Sequence, residues 1–191
     1  MVIIHTDRLD LIPAPPASIE LLVANEYERA GDLLNLIVPE SWPNNEDARA
    51  GLSFHLKAIQ RDSLELLWRI RLIVLRSNRT VVGSVNLKGP PDESEAVEIG
   101  WGLSAEYRRQ GIAVEASEAV IEWVCCQPKV RRIIATIPAD NIASIRVAER
   151  LGMNANEEFR RDLPVWELNL HDAAPNNGMH PTPRHDASHD S

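Results

Sequence analysis

The sequence predicts an α+β domain built on a mixed β-sheet. Alternating apolar residues, as in "RLDLIPA" (8–14) and "TVVGSVNLK" (80–88), are typical of strands that bury one face. Two long stretches, from Asn45 to about residue 59 and from about 111 to 126, carry apolar residues at the spacing of an amphipathic helix. The elements follow the order β-α-α-β-β-β-α-β-α-β-β, which combines hairpins with helical crossovers and favours the α+β class.

The first third of the chain predicts one strand and two helices. Strand 8–14 is followed by a helix that Ser18 can cap and that extends to about residue 27. Asn45, with acidic residues directly after it, is a suitable start for the second helix. Between the two helices, "LNLIVPESWPNN" (34–45) is a long loop interrupted by prolines.

The remaining two thirds predict a hairpin and then strands that alternate with helices. The hairpin pairs "LLWRIRLIVLR" (66–76) with 80–88 through the turn "SNR". The later elements are a strand at 95–104, a helix at 111–126 ended by Pro128, a strand at 130–137, a helix at 141–150 with Gly152 just beyond it, and strands at about 154–160 and 164–170.

Composition limits the class of protein. The 191 residues, 44% of them hydrophobic, suit one domain with a sizeable core. A net charge of −8 argues against a nucleic-acid partner, whose binding surface should be basic. No apolar run approaches the ~20 residues of a membrane span, and the N-terminus lacks the features of a signal peptide. The two cysteines, Cys125 and Cys126, are adjacent and suit a reduced thiol pair, so we expect a cytoplasmic protein without a membrane partner.

The last 21 residues differ from the rest of the chain. Residues 171–191 contain no Val, Ile, Leu, Phe, Trp or Tyr, but four of the six histidines. Such a segment buries too little apolar surface to offset its ordering entropy. We therefore predict one domain at 1–170 and a disordered tail at 171–191.

Two common nucleotide-binding motifs are incomplete in this sequence. "GWGLSA" (100–105) matches the dinucleotide pattern Gly-x-Gly-x-x-Gly/Ala, but that pattern should open a βαβ unit, and an antiparallel hairpin precedes it here. An acid about 20 residues further on is also missing from the end of the next strand, and no Gly-Lys-Ser/Thr follows to form a P-loop. The match is therefore weak evidence for a dinucleotide.

The stretch "YRRQGIA" (107–113) joins a strand to a helix. Unpaired N–H groups and the positive end of the helix dipole meet at such a point, which favours phosphate binding. Gly111 leaves the backbone open to an anion, Ala113 keeps the next position small, and Arg108 and Arg109 add positive charge. The pattern predicts a phosphate or pyrophosphate site.

Two motifs in this order resemble the GCN5-related N-acetyltransferase (GNAT) superfamily, and within it the group around the ribosomal-protein alanine N-acetyltransferases. "RRQGIA" (108–113) resembles the pyrophosphate loop of that family, and "NIASIRVAERLGM" (141–153) resembles its Asn-x-x-Ser…Leu-Gly helix. The likeness extends from "TDRLDLIPA" to about Leu170. It implies a mostly antiparallel mixed sheet flanked by helices, with a splayed parallel pair, 95–104 and 130–137, that binds acetyl-CoA without a metal.

The resemblance also implies the contacts of the cofactor. They are the backbone of Trp101, Gly102 and Leu103 near the thioester, the loop residues Arg108, Arg109, Gln110, Gly111, Ile112 and Ala113 around the pyrophosphate, and Asn141 beside the acetyl end. Asn141 also suits a simple N-cap.

Amine acetylation benefits from a general base, because amines are mostly protonated at neutral pH. The side chain of Glu98 points away from the apolar face of its strand. Glu98 is the candidate base by analogy with a Glu-Ile position in the histone-modifying branch of the family. The alternative is that Glu98 is an ordinary half-exposed acid. Many relatives protonate the departing thiolate with a tyrosine, but Ala148 stands at that position here. Ser144 is the best remaining donor, or else an ordinary helix residue.

The acceptor is expected to bind near loop 33–46. Trp42 is predicted to form a wall of the acceptor pocket, and Glu40 to favour a cationic amine; the alternative for Trp42 is a plug at the end of the core. His55, on the second helix, is either a base or a surface group. The expected function is acetyl transfer to a protein N-terminus or a small cationic amine. A CoA-binding sensor or scaffold without catalysis is the alternative, and a homodimer is left open.

Overall fold

The computed structural model describes residues 2–43 and 46–170, so the predicted tail and the proposed helix start at Asn45 lie outside the described residues. The strands are β1 (Ile4–His5), β2 (Leu9–Pro13), β3 (Ile70–Leu75), β4 (Thr80–Leu87), β5 (Ala96–Leu103), β6 (Arg132–Thr136), β7 (Asn154–Arg160) and β8 (Leu163–Asn169). The helices are α1 (Pro16–Val23), α2 (Tyr27–Leu34), α3 (Glu46–Arg61), α4 (Ile112–Cys125) and α5 (Ile142–Arg150).

The described strands form one sheet in the order β1-β2-β3-β4-β5-β6-β8-β7. Every neighbouring pair is antiparallel except β5 and β6, which run parallel. Their register covers only Ala96 to Glu98 opposite Arg132 to Ile134. Beyond Glu98, β5 stays paired with β4 as far as Leu103 and separates from β6. The mixed sheet with one splayed parallel pair confirms the predicted fold class.

Alternate residues of the strands enter two cores on opposite faces of the sheet. Val97 and Ile99 of β5 join the core that contains α4. Leu72 of β3 faces the other way, into the core formed with α1, α2 and α3. Because the side-chain period of a strand is two, Glu98 lies on the face opposite α4. The helices α1 to α3 cover that face beside β2 to β4. The β5–β8 half carries ion pairs of Glu98 and Arg132 next to a small apolar cluster of Ala96, Ile134 and Val165.

Three local expectations were wrong. The helix expected to reach residue 27 ends earlier. The chain forms α1 up to Val23, turns at Asn25, which has a positive φ of 61°, and begins a separate helix, α2, at Tyr27. Ser18 does not cap α1; it is buried and its hydroxyl donates to the Pro15 carbonyl at 2.7 Å. Residues 63–68 form a 3-10 helix instead of the start of a strand, because the Asp62 carboxylate accepts the Leu64 N–H at its first turn.

Candidate functional site

The turn between β5 and α4 has the backbone geometry of an anion site. Arg109 and Gly111 have positive φ values of 62° and 77°, so the chain reverses direction within a few residues. Gly111 is the N-cap of α4, and no side chain caps the helix there. The N–H groups of the first turn of α4 therefore have no side-chain acceptor, which suits them to a phosphate.

A clamp from the turn between β1 and β2 holds this turn in place. The Arg8 guanidinium pairs with Glu115 in the first turn of α4 and donates to the Gln110 carbonyl at 3.0 Å. Thr6 also donates to Glu115, at 2.6 Å. Burial alone would raise the pKa of Glu115, but these hydrogen bonds lower it. Sequence reasoning assigned no role to Arg8, although the likeness to the family begins in its "TDRLDL" stretch.

A cleft of about 1030 Å³ opens between this turn and α5. It is lined by the predicted cofactor contacts Trp101, Gly102, Leu103, Arg108, Arg109, Gly111, Ile112, Ala113 and Asn141, and also by Ser144, Arg146 and Arg150. Gln110 does not line it, because its side-chain amide turns to the Glu106 carbonyl at 2.9 Å. We call this space the arginine cleft after its four arginines: Arg108, Arg109, Arg146 and Arg150.

A smaller space of about 170 Å³ fills the gap where β5 and β6 separate. It shares Trp101, Asn141 and Ser144 with the arginine cleft, so the two spaces meet at the start of α5. The Asn141 side chain accepts the Ser144 N–H at 3.1 Å and thus caps α5. The Ser144 hydroxyl makes no hydrogen bond within the part of the chain that is described, which leaves it free to donate.

Glu98 lies behind the wall of this gap, 8% exposed and surrounded by donors. Lys88 Nζ contacts one carboxylate oxygen at 2.5 Å, and Arg161 Nη2 contacts both oxygens at 2.6 and 2.8 Å. The Thr136 hydroxyl donates to Glu98 at 2.7 Å and itself lines the gap. We call Lys88, Glu98, Thr136 and Arg161 the Glu98 cluster.

These contacts decide the charge of Glu98. Burial alone would raise its pKa, but the hydrogen bonds from Lys88, Thr136 and Arg161 outweigh burial and hold the pKa below its usual range. Glu98 is therefore an anion at neutral pH and a weaker base than an ordinary carboxylate. Lys88 and Arg161 occupy the space beside Glu98, and Thr136 lies between this carboxylate and the gap.

His55 is buried on α3, and the expectation of a surface group is wrong. Burial and the positive charge of Arg69 lower its pKa to about 4, while a hydrogen bond with Asn86 acts in the opposite direction. Its Nδ1 atom has no hydrogen-bond partner in the described structure. Asn86 in turn covers Gly100, where an added Cβ would come within 3.1 Å of its amide oxygen. The side chain of Asn86 thus lies between the neutral imidazole of His55 and β5 at the gap.

Trp42 is 4% exposed and packs in the core formed with α1 to α3. That position matches the alternative of a core plug, and Trp42 lines neither the strand gap nor the arginine cleft. Its neighbour Ser41 donates to Glu106, at 2.6 Å, which fastens the loop to the turn before α4. Glu40 is exposed on the same loop and lines neither space at the strand gap.

Metal-ligand clusters and membrane-spanning helices were considered for the described residues alone. They contain no cluster of three or more His, Cys, Asp or Glu side chains arranged to hold a metal ion. None of the helices in 2–43 and 46–170 combines the length and apolarity that crossing a bilayer requires.

Sequence comparison matches residues 8–154 to the model of an acetyltransferase (GNAT) domain. An uncharacterized N-acetyltransferase of Bacillus subtilis (strain 168), YjdG, is 27% identical over 158 residues, which cover 83% of this chain and 93% of YjdG. A second protein of that organism, the uncharacterized N-acetyltransferase YnaD, is 29% identical over 139 residues, covering 73% of this chain and 76% of YnaD.

Solved structures share the fold at lower identity. An acetyltransferase of Agrobacterium tumefaciens str. C58 has a TM-score of 0.61 and 17% identity, over 88% of this chain and 95% of its own. The ribosomal L7/L12 α-N-protein acetyltransferase RimL, in complex with CoA, has a TM-score of 0.57 and 17% identity, over 88% and 98%. The microcin C7 self-immunity acetyltransferase MccE, in complex with acetyl-CoA and AMP, has a TM-score of 0.56 and 15% identity, over 86% and 94%.

Proposed function

The chain belongs to the GNAT acetyltransferase family, and we propose that it transfers an acetyl group from acetyl-CoA to a primary amine. The observation that carries this proposal is the continuity of the arginine cleft with the gap between β5 and β6. The cleft offers cations and a helix N-terminus to phosphates, and the gap offers a polar wall at its inner end. The structures of MccE with acetyl-CoA and of RimL with CoA, on the same fold, support this choice of donor.

The residues of the cleft suit the parts of acetyl-CoA. The N–H groups from Gly111 to Ala113 and the guanidinium groups of Arg108 and Arg109 are placed to bind the pyrophosphate. Arg108 is already oriented, since its Nε donates to the Leu103 carbonyl at 3.1 Å. The backbone of Trp101 to Leu103 lies at the unpaired edge of β5, where its N–H groups are candidates for the oxyanion of the thioester carbonyl.

In the reaction, the amine nitrogen bonds to the thioester carbon, the carbon–sulfur bond breaks, the amine loses a proton and the thiolate gains one. We assign the first proton to the Glu98 cluster: Thr136 faces the gap and relays the proton to Glu98, which it already contacts. Ser144, whose hydroxyl lines both spaces, donates a hydrogen bond to the departing thiolate, and the thiolate gains its proton from water as CoA leaves. Arg161, with 60% of its side chain exposed, is the partner of Glu98 that is free to move away as the carboxylate gains its proton.

The weak base favours one class of acceptor, an α-amine such as a protein or peptide N-terminus. At pH 7 about a tenth of α-amines with a pKa near 8 are neutral, against less than about a thousandth of lysine-type amines with a pKa near 10.4. Lys88 and Arg161 also leave the Glu98 cluster with one net positive charge, which disfavours a polycationic acceptor. This acceptor differs from the small cationic amine that Glu40 had suggested.

The second candidate, a CoA-binding sensor or scaffold, is favoured by Ala148. This residue is fully buried and offers no hydroxyl where many relatives place a tyrosine. The two candidates differ only in turnover.

A turnover assay separates them. Purified protein is incubated with acetyl-CoA and, in turn, an N-terminal peptide, a polyamine, an aminoglycoside and a free amino acid, and released CoA thiol is measured. We expect release with the peptide to exceed release with the polyamine, and Glu98→Gln to reduce it. Tight CoA binding without release on any acceptor would favour the sensor, and absence of CoA binding would overturn both candidates.

A further inference from the structure

Two arginines of α5 face the arginine cleft and have no assigned role. Arg146 and Arg150 are one helical turn apart, so they lie on the same face of α5. Both line the cleft and both are exposed. Neither forms an ion pair with a carboxylate in the described part of the chain, unlike Arg8, Arg132 and Arg161.

The charge of the cleft contrasts with that of the whole protein. Four arginines line it and none of the described aspartates or glutamates does, although the chain has a net charge of −8. None of the four guanidinium groups forms a salt bridge within the described residues, so together they suit a ligand with several negative charges. Arg108 and Arg109, beside the turn before α4, account for only part of that capacity.

CoA, the ligand of the proposed function, has one phosphate to which no binding residues have been assigned. If the thioester lies at Ser144 and the pyrophosphate at Gly111, the remaining anionic group of CoA is the 3′-phosphate on its ribose. The remaining cations are Arg146 and Arg150, the second of which lies about 9 Å along α5 from Ser144. We propose that Arg146 and Arg150 bind the 3′-phosphate and thereby select CoA over cofactors with an unphosphorylated ribose.

This inference rests on the proposed function and is tested by binding alone. Calorimetric titration compares CoA with dephospho-CoA, which lacks only the 3′-phosphate, on the full chain and on the double variant Arg146→Gln/Arg150→Gln. The matched control is Lys57→Gln/Arg61→Gln, which removes two exposed cations at the same spacing from α3, away from the cleft. A thermal melt of each variant checks that the fold is retained.

We expect the unmodified protein to bind CoA about tenfold more tightly than dephospho-CoA, since charge-assisted hydrogen bonds carry this recognition. The double variant should lose about tenfold in CoA affinity and less than about twofold in dephospho-CoA affinity, and the control should resemble the unmodified protein. Equal affinity of the unmodified protein for the two ligands, or equal losses in the double variant, would overturn the inference alone. Absence of binding to either ligand would overturn the proposed function and the inference together.

Discussion

In the arginine cleft, four guanidinium groups border one open space, whereas behind the same strand gap the Glu98 cluster ties two cations to one carboxylate. The first arrangement leaves positive charge available for a ligand. The second has already used its charge within the protein, so a charged acceptor would have to displace an existing ion pair. The comparison supports the proposal that one side of the gap binds a polyanion and the other a neutral amine.

The first prediction concerns Trp42, which lines neither the arginine cleft nor the strand gap. If Trp42 belongs to neither side but to the core of α1 to α3, Trp42→Ala should lower the free energy of unfolding by ~3–5 kcal/mol, because it leaves a large cavity. The KM values of both substrates should change together. Thermal melts and two-substrate kinetics measure both effects. A stable variant with a raised KM for the acceptor alone would restore Trp42 to the acceptor pocket.

The second prediction tests the cleft. Gly111→Asp places a carboxylate at the N-terminus of α4 and should weaken CoA binding by more than about 10²-fold in calorimetry. Gly111→Ala is the control: it imposes the same strain at a positive φ, and within 4 Å its Cβ meets, among the described residues, Arg8 Nη2 at 3.5 Å. If Gly111→Ala weakens CoA binding as much as Gly111→Asp does, backbone strain and not charge would explain the loss of affinity.

The third prediction tests the opposite side. Glu98→Gln should lower kcat by about 10²-fold and leave the Kd of CoA within about twofold, because Glu98 lines neither the cleft nor the gap. The residual rate should rise with pH as more of the acceptor becomes neutral. An unchanged kcat at pH 7 would remove Glu98 from the proton path.

The fourth prediction concerns the relay. Thr136→Val keeps the shape of the side chain but removes the hydroxyl between Glu98 and the gap, and should lower kcat by about tenfold. Thr136→Ser retains the hydroxyl and should recover most of the rate. Equal rates in the two variants would mean that the proton reaches Glu98 by another route.

The smallest expected effect is on stability against pH. The pKa of Glu98 is lower in the folded than in the unfolded chain, so the cluster stabilises the fold above the unfolded pKa of about 4.5. That contribution is lost as the pH falls through the folded pKa. In urea unfolding, the free-energy difference between the unmodified protein and Glu98→Gln should thus be larger at pH 7 than at pH 3, by on the order of 1 kcal/mol. Glu118→Gln, on the exposed face of α4, should show no such change.

The sequence predicted the parts of the fold that have strong local periodicity. The bounds of α4 and α5 fall within about two residues of those expected, because apolar spacing, Gly111, Asn141 and Gly152 mark their ends. The first helix was harder, since the same apolar run covers α1 and continues towards α2, and only the positive φ of Asn25 separates them. The parallel pairing of β5 with β6 came from the family resemblance and not from periodicity.

The site was harder to predict than the fold. Strand alternation placed Glu98 on the correct face, but it carries no information about Arg161, which a hairpin turn 63 residues further on brings to that carboxylate. The burial of Trp42 could not be predicted either, because its loop has no periodicity and three helices pack around the ring. Arg146 and Arg150 lie within the motif "NIASIRVAERLGM". The motif alone does not indicate that they line the cleft, because the cleft forms only where α4 and α5 come together.

The clamp from Arg8 to Glu115 joins residues that are 107 positions apart. During synthesis, β2 leaves the ribosome long before its partner on α4 exists, so the turn at Gly111 acquires its anchor only after more than half of the chain has been made. Contacts of such sequence separation form slowly, because closing the long loop costs entropy. We therefore expect cofactor binding to appear late in refolding. A fragment that begins after residue 8 would keep the complete phosphate motif but lose Thr6 and Arg8, which steady it.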